Sequence, residues 1–136
     1  MRFAVDRLDH LVVTCRDVTI SASWYQRVLG MEVEEFGLHT RTALKFGGQK
    51  INLRPVEATQ TEWWTGAAGG IPGTADLCFI VTVDAEQIIA HLHHCGVAVE
   101  QGPVAKHGAL GPITSVYCRD PDGNLIEIST YGEPPQ

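Results

Sequence analysis

Apolar residues along this chain follow two different periods. One stretch has the i, i+1, i+4, i+5 spacing of a single helix face, with Trp24, Tyr25, Val28 and Leu29 at those positions. Gly30 follows in the position of a C-terminal cap. Shorter apolar runs with β-branched residues surround this stretch and predict strands. For the first half we predict a helix at 20–29 and strands at 8–14, 32–36, 42–46 and 50–54.

The second half repeats this order. Asp84 and Gln87 have the spacing of a capping box, and Gly96 stands where the helix that they begin would end. We therefore predict an α+β fold made of two βαβββ units. The strands of the second half are predicted at 76–83, 97–100, 113–118 and 125–130.

The two units are expected to form one domain over residues 1–136, as a cupped mixed sheet with helices outside. The halves span about 6–56 and 75–131. The connection between them, 57–74, contains four glycines and a proline. A connection of that length is often functional or mobile.

Two polar residues interrupt apolar strands and are candidate metal ligands. Glu127 follows the turn formed by Pro121, Asp122 and Gly123, and His10 lies in the first strand. An unpaired carboxylate on a covered sheet face is costly, so Glu127 needs a cation or hydrogen-bond donors. His and Glu are ligands of divalent transition metals. A core histidine and a sheet glutamate that only hydrogen-bond remain the alternative.

The repeat matches further residues to these two. We predict that Cys78 takes the place of His10 in the second half, and that Asn52 takes the place of Glu127 in the first. Because side chains alternate along a strand, all four are expected to face one concave surface. Three more side chains have a parity that would let them line it, namely Arg54, Ser115 and Tyr117.

Composition narrows the class of protein. The net charge of -6 disfavours nucleic acid as a partner. No apolar run is long enough to span a bilayer and the N-terminus lacks a signal pattern, so we expect a cytoplasmic protein that does not bind membranes. The four cysteines contain no CxxC pair and are expected to be reduced thiols, at Cys15, Cys78, Cys95 and Cys118.

Several strings of the sequence resemble the vicinal oxygen chelate superfamily, which contains glyoxalase I, fosfomycin-resistance transferases, extradiol dioxygenases and bleomycin-binding proteins. They are LDHLV at 8–12, WY at 24–25, LGM at 29–31 and DPDGNLIE at 120–127. The sequence is most similar to the subgroup of glyoxalase domain-containing protein 5. The strings that carry this similarity are FGGQKINL at 46–53, GTADLC at 73–78 and GALGPI at 108–113.

The resemblance implies paired βαβββ units that hold a divalent ion, which would be zinc, nickel, iron or manganese. The usual ligands are a first-strand His, the last-strand Glu of each half and a His that opens the second half. His10 and Glu127 occupy two of these places. Asn52 stands where glyoxalase I would have a carboxylate, and Cys78 stands where most metal-binding members have His. Asp76 shares the parity of Cys78 and is an alternative ligand.

Two kinds of function follow. In the first, a small metalloenzyme of the lyase, isomerase or dioxygenase type chelates an oxygenated substrate, with Glu127 as a catalytic ligand. Substrate would be oriented by Ser115, Tyr117 or Arg54, and Asn52 would also contact it. In the second, a metal-free cup of the bleomycin-resistance type binds a small molecule without turnover. An enzyme-derived module that has lost its metal is a third possibility. Exposed sheet edges and the resemblance both favour a homodimer.

Overall fold

A computed structural model describes residues 1–132 of the chain, so the last four residues of the predicted domain lie outside the described residues. The chain forms two compact units, which meet at the bond between Pro72 and Gly73 inside the glycine-rich connection. Each unit has the order βαβββ, and the predicted α+β class is confirmed. No helix of the described residues is long and apolar enough to cross a membrane.

Unit 1 (Met1–Pro72) contains one helix and a four-stranded mixed sheet in the order β1-β4-β3-β2. Strand β1 runs parallel to β4, and the other neighbours are antiparallel. Its elements are β1 (His10–Cys15), α1 (Val18–Leu29), β2 (Glu32–Phe36), β3 (Arg41–Phe46) and β4 (Gln49–Pro55).

Unit 2 begins at Gly73 and has the same topology, with the sheet order β5-β8-β7-β6 and β5 parallel to β8. Its elements are β5 (Asp76–Ile80), α2 (Ala85–His94), β6 (Gln101–Gly108), β7 (Gly111–Arg119) and β8 (Leu125–Thr130). The hydrogen bonds therefore divide the strands between two sheets, one in each unit, where the sequence predicted a single curved sheet.

The helix ends follow from local chemistry. Asp17 caps α1, because its carboxylate accepts a hydrogen bond from the backbone N–H of Ile20 at 2.9 Å. Gly30 ends the helix in the left-handed region with φ 67°, which glycine adopts without strain. In unit 2 the predicted capping box is confirmed, since Asp84 and Gln87 bond each other's backbone N–H at 2.9 and 3.1 Å.

Each helix covers one face of its own sheet. In unit 1 Ile51 and Leu53 of β4 are at most 1% exposed on the face that α1 covers. Asn52 lies between them and so belongs to the other face. In unit 2 Ile126 and Ile128 of β8 are buried in the same way, and Glu127 belongs to the other face. The alternation predicted from the sequence thus separates the apolar residues from the candidate site residues.

Strand β6 corrects one prediction. The strand expected at 97–100 lies instead at Gln101–Gly108. The Gly102-Pro103 pair is typical of a loop, but β6 is an edge strand with an irregular register at that point, where proline is tolerated. Glycine is required at 102, because φ is 121° and a Cβ there would lie 2.6 Å from the carbonyl oxygen of Ser115.

Candidate functional site

His10 lies at the start of β1 with about half of its side chain exposed. Its Nδ1 is 2.8 Å from Oδ2 of Asp9, and this hydrogen bond is the main reason why the pKa of Asp9 is lowered. When Nδ1 carries the proton of that bond, the lone pair of Nε2 is available to a ligand. Metal-bound histidines commonly donate their other ring N–H to a carboxylate in this way. Asp9 was not among the predicted site residues.

Asn52 lies on β4 with its side chain buried. Its register partners are Val12 on β1 and Ala43 on β3, and the residue is 7% exposed. Its Oδ1 is the only buried side-chain nitrogen or oxygen among the described residues without a hydrogen-bond partner. A buried acceptor left unpaired costs about 1–3 kcal/mol. A bound cation or a ligand donor would satisfy this oxygen.

Arg54 is fully buried and holds the loop that follows β4. Its Nε, Nη1 and Nη2 donate to the backbone carbonyls of Trp63, Gly69 and Ala58 at 3.1, 3.0 and 2.8 Å. The side chain is 1% exposed. The structure therefore gives the guanidinium a role in supporting the loop, and its predicted contact with substrate stays a prediction.

In unit 2 a hydrogen-bonded cluster surrounds Glu127. The hydroxyl of Ser115 donates to Glu127 Oε2 at 2.6 Å, and Ser129 donates to the same oxygen at 3.4 Å. The two serine hydroxyls are 2.7 Å apart, and Sγ of Cys78 lies 3.3 Å from Ser129 Oγ. This network fixes the position of the carboxylate. Sequence reasoning missed Ser129, although it shares strand parity with Glu127 two residues away.

Tyr117 and Cys78 also lie beside Glu127. Both are its cross-strand partners, Tyr117 on β7 and Cys78 on β5. Burial raises the pKa of the Tyr117 hydroxyl, and Glu127 adds to the effect. The pKa of Cys78 is also raised, mainly by desolvation and further by the charges of Glu127 and Asp76. Both groups are therefore protonated at neutral pH, which makes Tyr117 a hydrogen-bond donor.

The register corrects the predicted match between His10 and Cys78. In unit 2 Cys78 is paired with Glu127, but in unit 1 the residue paired with Asn52 is Val12. His10 lies two residues earlier, and the same shift along β5 leads to Asp76. If Asn52 and Glu127 are equivalent, Asp76 therefore occupies the position that matches His10.

The candidate ligands are divided between the units. Unit 1 carries His10 and Asn52, and unit 2 carries Asp76, Cys78 and Glu127. Within residues 1–132 no three His, Cys, Asp or Glu side chains gather in a group that could hold a metal. An imidazole nitrogen, an amide oxygen and carboxylate oxygens are nevertheless suitable donors for a divalent ion. Each unit thus presents part of a donor set that has the right chemistry.

Comparison with known proteins identifies the family. A family model of the glyoxalase/bleomycin resistance protein/dioxygenase superfamily matches residues 7–128. The chain belongs to this superfamily. The resemblance found in the sequence is thereby confirmed at the level of the superfamily.

Several known proteins are similar to this chain over nearly its whole length. The glyoxalase domain-containing protein RDO1 of Mycosarcoma maydis is 45% identical over 130 residues, which cover 96% of this chain and 71% of that protein. Virulence protein STM3117 of Salmonella typhimurium is 43% identical over 131 residues, which cover 96% and 88%. The solved structure of an integron cassette protein of V. cholerae, VCH_CASS1, has a TM-score of 0.90 at 43% identity and covers 97% and 100%.

Proposed function

We propose that this protein is a metal-dependent enzyme of the glyoxalase superfamily that acts on a small oxygenated substrate. The observation that carries the proposal is the buried, unpaired Oδ1 of Asn52, which shares a sheet face with His10. Such an oxygen is costly in a protein that binds nothing there. His10 and Glu127 are the proposed ligands, supplied by one chain or by two chains of a homodimer. Asn52 and Asp76 are the candidates that would complete the set.

A bound zinc, nickel, iron or manganese ion would polarise two neighbouring oxygens of the substrate and stabilise developing negative charge. The residues of the chain have separate tasks around it. His10 would offer Nε2, oriented by Asp9. Ser115 holds Oε2 of Glu127, so that the carboxylate is fixed before substrate arrives. Tyr117 keeps its proton at neutral pH and would donate a hydrogen bond to a substrate oxygen.

The proposal extends to the subgroup, the location and the assembly. The strings FGGQKINL, GTADLC and GALGPI support the subgroup of glyoxalase domain-containing protein 5. We propose a cytoplasmic homodimer with no nucleic-acid or membrane partner. Light scattering between 1 and 50 µM should give twice the monomer mass of 14.8 kDa. A constant monomer mass over that range would contradict the assembly.

A second candidate is a metal-free binding protein of the bleomycin-resistance type. One observation favours this alternative, because within residues 1–132 no three His, Cys, Asp or Glu side chains gather in a group that could hold a metal. In that case the Asn52 oxygen would accept a hydrogen bond from an organic ligand. The two candidates differ in one measurable property, which is metal affinity.

Metal titration of Glu127→Gln, with Glu34→Gln as the control, tests the proposal. Glu34 forms an exposed ion pair with Lys45 at 3.2 Å and belongs to no candidate site. Zinc and nickel binding by calorimetry should be lost or weakened at least about tenfold in the Glu127 variant, because one charged ligand becomes a weak amide donor. The control should bind as the unmodified protein does. Equal affinity in all three proteins would refute Glu127 as a ligand. No measurable binding by the unmodified protein would overturn the proposal and favour the metal-free alternative.

Strand β5 carries two candidates for a further metal ligand, Asp76 and Cys78. Comparing Asp76→Ala with Cys78→Ala tests which of them binds the metal. The register favours Asp76, which matches His10 when Asn52 and Glu127 are equivalent. We expect metal loss in the Asp76 variant only. Loss in the Cys78 variant only would assign the thiolate as the ligand.

A further inference from the structure

A cavity of about 330 Å³ lies within unit 1. Thr42 and Leu53, which are register partners on β3 and β4, line it. None of the candidate metal ligands lines the cavity. The cavity is therefore separate from the site proposed above, and its size falls in the range of small-molecule pockets, about 300–1,000 Å³.

One wall of the cavity is a preorganised loop. Trp63 and Glu62 line the cavity from this loop, and Trp63 is 7% exposed. The backbone N–H of Trp63 donates to the carbonyl of Thr59 at 2.8 Å. Thr59 and Glu62 bond each other's backbone N–H through their side chains at 3.0 and 3.1 Å. Together with the three bonds from Arg54, these contacts hold the indole in place without a ligand.

The cavity has an apolar body and one cationic side. Val18 and Pro55 supply apolar surface, and Leu53 behind them is 1% exposed. The guanidinium of Arg41 stacks on Trp63, with Cζ 4.0 Å from the ring centroid, and Nη2 donates to the backbone carbonyl of residue 62 at 3.2 Å. Within residues 1–132, Nε and Nη1 of Arg41 make no hydrogen bond. Stacking fixes the plane of the guanidinium and leaves these donors for a carboxylate.

The carboxylate of Glu62 also lines the cavity, and its negative charge would repel an anionic ligand. Its Oε1 is occupied by the backbone N–H of Thr59, and that bond is the main reason why the pKa of Glu62 is lowered. One of its two oxygens is therefore satisfied by the loop. Three more residues with polar side chains line the cavity, namely His39, Thr40 and Thr42. Arg41 is the arginine of the lining and has two unused donors in one plane, so it favours a carboxylate as the ligand group.

We propose that this cavity is a second binding site, which takes a small aromatic carboxylate. The aromatic ring would lie against Val18 and Pro55, and the carboxylate would accept hydrogen bonds from Nε and Nη1 of Arg41. Trp63 would act through Arg41, as the surface that orients the guanidinium.

Calorimetry with 2-naphthoate and its neutral analogue 2-naphthylmethanol tests the site in metal-free buffer. The anion should bind the unmodified protein at least about tenfold more tightly than the alcohol, because only the anion makes charge-assisted bonds. Arg41→Gln should remove this preference and leave alcohol binding unchanged. Ala58→Phe should abolish binding of both compounds, because Ala58 lines the cavity and a larger side chain fills it. Arg7→Gln, at an exposed arginine paired with Asp6, should change nothing.

Four binding results, and a fifth result on assembly, would overturn the inference. The binding results are no naphthoate binding at millimolar concentration, an unchanged preference in Arg41→Gln, unchanged binding in Ala58→Phe, and loss of naphthoate binding in His10→Ala, which would place the probe at the proposed metal site. A change from dimer to monomer in Ala58→Phe would also overturn it, since the cavity would then be a contact between copies of the chain. Failure of metal binding leaves these readouts unaffected.

Discussion

Replacing Arg54 by Met should destabilise the protein strongly, although no carboxylate pairs with this arginine through a described salt bridge. Methionine keeps an unbranched stem of similar length and removes the guanidinium. Three backbone carbonyls, those of Ala58, Trp63 and Gly69, then lose their donor. The perturbation therefore tests whether one buried cation holds the loop.

The magnitude follows from opposing effects. A hydrogen bond to a charged group contributes about 1.5–3 kcal/mol net, so three bonds contribute about 5–9 kcal/mol. Removing the guanidinium, which is 1% exposed, recovers several kcal/mol of desolvation cost. The freed carbonyls also regain water as the loop loosens. We expect the free energy of unfolding to fall by about 3–5 kcal/mol.

Urea unfolding followed by circular dichroism measures this loss, and limited proteolysis locates it in residues 56–72. Lys45→Met is the matched control, because Lys45 is a half-exposed cation with one surface partner at 3.2 Å. Such a pair contributes about 1 kcal/mol or less. A loss below about 1 kcal/mol in Arg54→Met, at an unchanged denaturant slope, would refute the reasoning.

Two further predictions concern buried polar groups. Asn52→Leu should stabilise the metal-free protein by up to about 1–3 kcal/mol, because it removes the unpaired Oδ1, and it should abolish metal uptake. Thermal unfolding in the presence of a chelator measures the stability, and a lower stability of the variant would contradict this prediction. Burial raises the pKa of Cys118 from 9.0 to about 11, so the unfolded thiol loses its proton first and stability falls as pH rises between these values. In Cys118→Ala the free energy of unfolding should fall by about 1–2 kcal/mol less over this pH range than in the unmodified protein. An equal pH dependence of the two free energies, measured by denaturant unfolding, would show that the thiol does not contribute.

The sequence predicted those elements whose determinants are local. Strands β2 and β8 lie where the alternation placed them, and Asp84 and Gln87 form the expected capping box. Strand β6 was misplaced, because the Gly102-Pro103 pair indicates a loop unless the strand is known to be at an edge. Whether proline is tolerated depends on pairing, which local periodicity does not report.

The sequence likewise predicted one part of the candidate site correctly and another part wrongly. Parity placed Glu127 beside Ser115 and Tyr117, and the structure brings these side chains together. Strand parity tells which face of the sheet a side chain lies on, but it does not tell which residues of two parallel strands are paired. Cys78 was therefore matched to His10, although the observed register matches Asp76 better. The bonds of Arg54 depend on the path of an aperiodic loop.

The metal content of tag-free protein, purified without chelator, tests the central claim most directly. Elemental analysis should find about one divalent ion per chain in the unmodified protein. His10→Ala should contain almost none while keeping its circular dichroism spectrum, because it removes the ligand that Asp9 orients. Equal metal content in the two proteins, or none in the unmodified protein even after incubation with zinc, nickel, iron or manganese, would contradict the account.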